Sequence, residues 1–309
     1  MYNFLCTIRD RPDLGRLVKA VFLDISDLAD EAHTNEQHSQ LVQERIIALG
    51  LFGRYAHRMV ERQTGRRKYE TLAQVIIAHL SGIEKLHLET PETATDIFGV
   101  FDDIAGTRRQ RIPPQRPANV VWPQLKQCAS LHTHHPLNEL VQLLKSYHKD
   151  TLRRLQLGGA YPSEPPSEVP ELRQLPALEE LRIHSNCIPL PRDGEIAPRE
   201  FPLASILPIS IRRFHINFAS HLHVPQLVRL ANESQQPYMV REHPHLREVT
   251  VMYQVRGDGD DLIDDGILDD PDDSLTQVDL DLLQSAFSQT DISFSAKARD
   301  GCDWDIDEF

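Results

Sequence analysis

Fifteen histidines carry the most obvious chemistry in this chain of 309 residues. His132-Thr-His-His135 and His221-Leu-His223 could each offer two imidazoles to a metal, and His243 and His245 flank Pro244. Zinc needs three or four converging ligands, and none of these clusters has a recognised spacing such as HExxH. They read as turn or surface histidines, and no metal or cofactor is expected. The nine aspartates between Asp258 and Asp273 raise calcium instead. A loop starting at Asp261 sets Asp265 and Gly266 suitably for an EF-hand, but Ile263 falls on a ligand position and Asp272 on that of the bidentate Glu. A solvated acidic loop fits better. No GxSxG, GxxxxGK[ST] or helix-opening GxGxxG is present, so no enzyme is expected. The competing class is a metal-binding protein or hydrolase built on the histidine-rich turns.

The charge is unevenly placed. Of 46 acids and 33 bases, 17 acids and 2 bases lie in 257–309, which leaves 29 acids against 31 bases before Gly257. A near-neutral body with no strongly cationic stretch argues against a nucleic-acid partner. Cys6, Cys128, Cys187 and Cys302 form no CxxC pair, which points away from a disulfide framework and toward the cytoplasm or nucleus. The first residues, through Arg9, lack the basic and apolar regions of a leader. The apolar run around Val75–Ile77 is cut by His79, so no membrane span is expected.

The elements that would position any site show up as a repeat, apolar-x-x-apolar-x-apolar. It occurs at Val18/Val21/Leu23, Ile83/Leu86/Leu88, Leu152/Leu155/Leu157, Leu178/Leu181/Ile183, Ile211/Phe214/Ile216 and Leu246/Val249/Val251, with a poor copy at Leu125/Cys128/Leu131. The last two apolar residues of each copy are two apart, the period of a strand with one buried face. The last three copies follow at intervals of 26, 33 and 35 residues, near the length of a leucine-rich repeat. Helical spacing precedes several strands: Leu72, Val75, Ile76, His79 and Leu80 before Gly82; Leu137, Leu140, Val141, Leu144 and Tyr147 or His148; Leu227, Val228, Leu230 and Ala231 after Pro225. A helix over 36–61 fills the first long interval. Ser274-Leu-Thr-Gln277 resembles a capping box, and Asp291–Ser295 reads as a closing strand.

These elements predict an α/β fold, an irregular leucine-rich-repeat-like solenoid with a parallel inner sheet and outer helices and turns. The solenoid covers 1–256, with an exposed Pro/Arg-rich loop at 92–123. An acidic loop follows at 257–274, then a terminal helix, closing strand and acidic tail at 275–309. If the paired apolar residues face the core, their neighbours face the concave side. That column holds Lys85, His87, Arg154, Gln156, Arg182, His184, Arg213, His215 and Asn217 as partner-binding residues, suited to an acidic or phosphorylated peptide. Changing Arg154, Arg182 and Arg213 together to Glu is expected to leave folding intact.

Arg11-Pro-Asp-Leu-Gly-Arg-Leu-Val-Lys-Ala-Val-Phe-Leu23 resembles the stretch leading into the first repeat strand of the F-box and leucine-rich-repeat-like proteins of filamentous fungi. Leu175-Pro-Ala-Leu-Glu-Glu-Leu-Arg-Ile183 and Leu207-Pro-Ile-Ser-Ile-Arg-Arg-Phe-His-Ile216 resemble their recurring Leu-Pro phrases. The likeness extends over most of Arg11–Gln254, with a weaker tail to about Ala296. It implies a substrate receptor for ubiquitin ligation, in which an F-box docks on the adaptor of a cullin–RING ligase. An F-box opens with Leu-Pro, and the first Leu-Pro here is Leu175-Pro176. The chain therefore reads as a repeat region lacking that module, or as a truncated product, with a protein partner of unknown identity.

Overall fold

The structure is a computed structural model and describes residues 1–24, 40–45, 67–89, 122, 124–131, 137–158, 172–188, 203–237, 241–254 and 274–299. The chain divides into two compact units, Met1–Ser163 and Glu164–Phe309. Within the first, β1 (Ala20–Asp24), β2 (Lys85–Glu89), β3 (Gln127–Leu131) and β4 (Arg154–Leu157) lie side by side in chain order, all parallel. Within the second, β5 (Glu180–His184), β6 (Arg213–Asn217), β7 (Glu248–Gln254) and β8 (Ser293–Arg299) do the same.

Register follows the repeat. Leu86 sits opposite Val21 and Cys128, and Cys128 opposite Leu155; Phe214 sits opposite Leu181 and Val249. From β2 onward the apolar positions of the five full hexads are buried, each large side chain contributing about 1.5–3 kcal/mol. β3 corrects the poor copy: Ser130, and not Leu131, aligns with Leu88 and Leu157. The closing strand begins two residues later than expected and runs on to Arg299.

Within each unit one backbone device recurs at every step but the last, where Arg247 accepts only the Ser293 amide. The carbonyl just before a strand accepts two amides from the next copy: Lys19 from Glu84 and Lys85, Glu84 from Lys126 and Gln127, Lys126 from Arg153 and Arg154. In the second unit Glu179 accepts from Arg212 and Arg213, and Arg212 from Arg247 and Glu248. The hexad's first spacer therefore locks the register before the strand begins.

Helices fill the connections. In the first unit α1 (Tyr2–Asp10) and α2 (Pro12–Leu17) precede β1; α3 (Arg67–Ala78) and α4 (Leu137–His148) precede β2 and β4. Leu72, Val75 and Ile76 of α3 and Val141, Leu144 and His148 of α4 are buried, as their helical spacing predicts. Gly82 is fixed by close approach: a Cβ there would stand 2.1 Å from the Arg16 carbonyl oxygen. Of the helix expected over 36–61, residues 40–45 are helical and the rest lie outside the described residues.

The second unit adds α5 (Leu203–Ile206), α6 (Val224–Ser234) and α7 (Gln277–Ser288), with α7 packed on α6 and β8. Pro225 lies in the first turn of α6, and Leu227, Leu230 and Ala231 are buried. The cap of α7 is two residues later than the sequence suggested. Thr276 Oγ1 accepts from the Asp279 amide at 3.3 Å, and the Thr276 amide donates to Asp279 Oδ2 at 2.9 Å. Thr276→Ala is expected to lower the urea midpoint by an amount equivalent to about 1 kcal/mol; an unchanged midpoint would discount the cap.

Trp122 revises the expected exposed loop at 92–123. It is buried, its Nε1 donates to the Ile77 carbonyl at 3.0 Å, and its ring stacks on His148. The remainder of that loop, the acidic segment 257–273 and the tail 300–309 lie outside the described residues. Among the described residues no helix is long and apolar enough to cross a membrane.

Candidate interaction surface

The strand residues between the apolar positions line the other face of each sheet. In the first unit, Lys85, Gln127 and Arg154 fall in one row and His87, Ala129 and Gln156 in the next. In the second, Glu180, Arg213 and Glu248 form one row, Arg182, His215 and Thr250 another, and His184 pairs with Asn217. The geometry thus brings Lys85, His87, Arg154 and Gln156 together, and separately Arg182, His184, Arg213, His215 and Asn217.

This face is less open than a solvated column would be. Lys85 is exposed, and Arg154, Arg182, Arg213 and His215 are half-buried. His87, Gln156, His184 and Asn217 are buried. Phe22 covers His87, with ring centroids 4.2 Å apart, and Phe218 covers His184 at 4.8 Å.

Glu180 organises the second unit's face. It is only 3% exposed, far less than an unpaired carboxylate tolerates. Arg182 Nε donates to its Oε1 at 3.1 Å, Arg213 Nη2 donates to its Oε2 from the neighbouring strand, and His215 Nε2 lies 3.9 Å from Oε1. Two cations around one buried carboxylate leave less free positive charge than the sequence column implied. The arrangement also overturns the expectation that reversing Arg182 and Arg213 spares folding. Either change would set a new carboxylate beside a buried one.

Gln156 Oε1, Asn217 Oδ1 and the His215 ring Nε2 are buried and have no hydrogen-bond partner among the described residues. Such groups are uncommon in folded proteins.

A second set of charges was missed in the sequence column. Every hexad's first spacer residue is charged: Lys19, Glu84, Arg153, Glu179, Arg212 and Arg247, with Lys126 in the poor copy. Lys19 and Lys126 bracket Glu84 at 3.1 and 2.8 Å, and the Lys126 hydrogen bond, then that of Lys19, hold the Glu84 carboxyl below its usual range. These exposed pairs follow the strand starts. The regular spacing was the signal that could have found them.

The histidine turns are structural where they are described. Ser220 donates its amide to His223 Nδ1 at 3.1 Å, with its hydroxyl 2.9 Å away, closing a capping box around His221–His223. His243 turns its nitrogens to the Ala204 and Pro208 carbonyls at 2.8 and 3.2 Å. Among the described residues no three His, Cys, Asp or Glu converge as a metal site. His132–His135 and the candidate calcium loop 261–272 lie outside them. Burial pushes the Cys128 and Cys187 thiols up to about 12, which removes them as nucleophiles near neutral pH.

Burial also pushes His148, His215 and His223 down to about 4. For His215 the Arg182 charge adds to burial and Glu180 opposes it. A histidine whose folded pKa is depressed binds protons more readily when unfolded. Its contribution is full above about pH 6.5 and is lost as pH falls toward 4. Stability at pH 5 is expected to be lower than at pH 7.5 by on the order of 1–2 kcal/mol per ring, read by urea unfolding. His148→Phe should make that slope shallower; an unchanged slope would contradict its burial as a neutral ring.

Comparison with protein-family models, curated proteins and solved structures gives no match to this chain.

Proposed function

We propose that the protein is a non-enzymatic recognition module, an irregular leucine-rich-repeat-like solenoid that holds a segment of a partner protein on the polar strand face of its second unit. The observation that carries this reading is Arg213. Its side chain is 43% exposed, yet its guanidinium is fixed from behind by buried Glu180. An Arg held in one orientation keeps its outward donors aimed, which suits a carboxylate or phosphate on the partner.

The resemblance to F-box and leucine-rich-repeat-like proteins supports a role in presenting a protein for ubiquitin ligation. The repeat region would supply the substrate-holding half of such a receptor. Lys85, His87, Arg154 and Gln156 form the corresponding face of the first unit.

The test replaces the whole cluster, Glu180→Leu with Arg182→Leu and Arg213→Leu, because three apolar residues avoid stranding one buried charge. Affinity capture from cell extract with quantitative mass spectrometry should then lose at least about tenfold of its specific partner, a change of 1.4 kcal/mol or more, while the unfolding midpoint stays near wild type. Equal capture by both proteins would overturn the site.

A further inference from the structure

Charge on the second unit's polar face is sorted along the strand direction. The acids, Glu180 and Glu248, both stand in the first row, on either side of Arg213. The second row runs Arg182, His215, Thr250 and Ser295. Beyond it come His184 with Asn217, then Met252 with Lys297. These later rows hold no carboxylate, and each polar side chain in them carries a hydrogen-bond donor. Lys297, two residues past Ser295, shares its face. It is exposed and forms no ion pair among the described residues, whereas Arg182 and Arg213 already answer Glu180. Burial, then the charges of Arg182, Arg213 and Lys297, hold the His215 ring neutral against the pull of Glu180. A neutral imidazole keeps one N–H to give. The Thr250 and Ser295 hydroxyls lie 3.0 Å apart, and that of Ser295, half-buried, can turn outward.

We infer that the partner segment carries a phosphorylated serine or threonine, its phosphate seated over the later rows between His215, Ser295 and Lys297. This rests on the reading that the second unit's polar face holds a partner. The placing of the donors favours phosphate over carboxylate. They come from β6 and β8, about 9–10 Å apart, and so approach an anion from different sides. A phosphate monoester offers three acceptor oxygens in three directions and nearly two negative charges. A carboxylate offers two oxygens in one plane. Repulsion from the two first-row carboxylates sets the phosphate one row beyond Arg213, within reach of its outward donors.

The experiment has two arms. In the first, inorganic phosphate is titrated into the full chain at constant ionic strength while NMR follows the histidine rings. The expected result is a saturable shift of the His215 signal, larger than acetate produces. Lys297→Gln should bind phosphate at least about threefold more weakly, with an unchanged unfolding midpoint. In the second arm the cell extract is treated with phosphatase before capture, which should cost at least about tenfold of the specific partner. A His215 signal that phosphate leaves unmoved overturns the inference. So does an equal response to acetate, or a Lys297→Gln chain that binds phosphate like wild type. Capture that survives phosphatase but fails in the Glu180→Leu, Arg182→Leu, Arg213→Leu chain overturns the phosphate and leaves the face as the site. Equal capture by that chain and wild type overturns both.

Discussion

Glu180→Ala is expected to lower folding stability by about 3–5 kcal/mol, the cost of breaking a buried ion pair from one side. Arg182, whose side chain is 17% exposed, would lose its acceptor without gaining full access to water. The measurement is the urea midpoint at constant slope, since an altered slope would mean a changed unfolded state. Arg182→Glu with Arg213→Glu should fail more severely, because three carboxylates would then share one buried position. Glu180→Leu with Arg182→Leu and Arg213→Leu should recover most of the loss of Glu180→Ala. If the single Glu180→Ala change costs less than about 1 kcal/mol, the carboxylate is solvated and does not organise the face.

Trp122→Ala is expected to cost about 3–5 kcal/mol through lost burial and the cavity left behind. Two further terms accompany it. The Ile77 carbonyl loses the donor at 3.0 Å, and His148, whose ring nitrogens have no hydrogen-bond partner among the described residues, loses its stacking surface. The backbone brings no relief, because Trp122 adopts φ 53° and alanine keeps the Cβ that makes a left-handed conformation cost about 1–2 kcal/mol. Trp122→Phe should keep most of the packing and lose the hydrogen bond, about 1 kcal/mol. Urea unfolding of both variants separates the terms. A Trp122→Ala protein as stable as wild type would mean that this indole does not join 122 to the core of the first unit.

Where a hexad had apolar residues at all its key positions, the strand was legible, since strand alternation and the anchor three residues earlier select one register. β3 was harder because Cys128 and Ser130 stand at the register positions where other copies carry large apolar residues, and only alignment with Leu86 and Leu88 identifies them. α1 went unread: Leu5 and Ile8 are its buried apolar residues, too few for a clear periodicity. The polar face was legible as a set of residues and illegible as an environment. Glu180 meets Arg213 from 33 residues away, so neither its burial nor the neutralised charge follows from local pattern. Trp122 was hidden by its proline-rich context, which reads as solvent-exposed.

The central claim is that these hexads are adjacent rungs running one way, so that each polar row lines up across its unit. Side-chain-labelled NMR of the intact chain tests it directly through nuclear Overhauser contacts of Phe214 and Ile216. The parallel register predicts Phe214 ring contacts to the Leu181 and Val249 methyls, with Ile216 contacting Ile183 and Val251. Strong Phe214–Ile183 and Ile216–Leu181 contacts, the reversed order of an antiparallel pair, would contradict it, as would no contact between these strands.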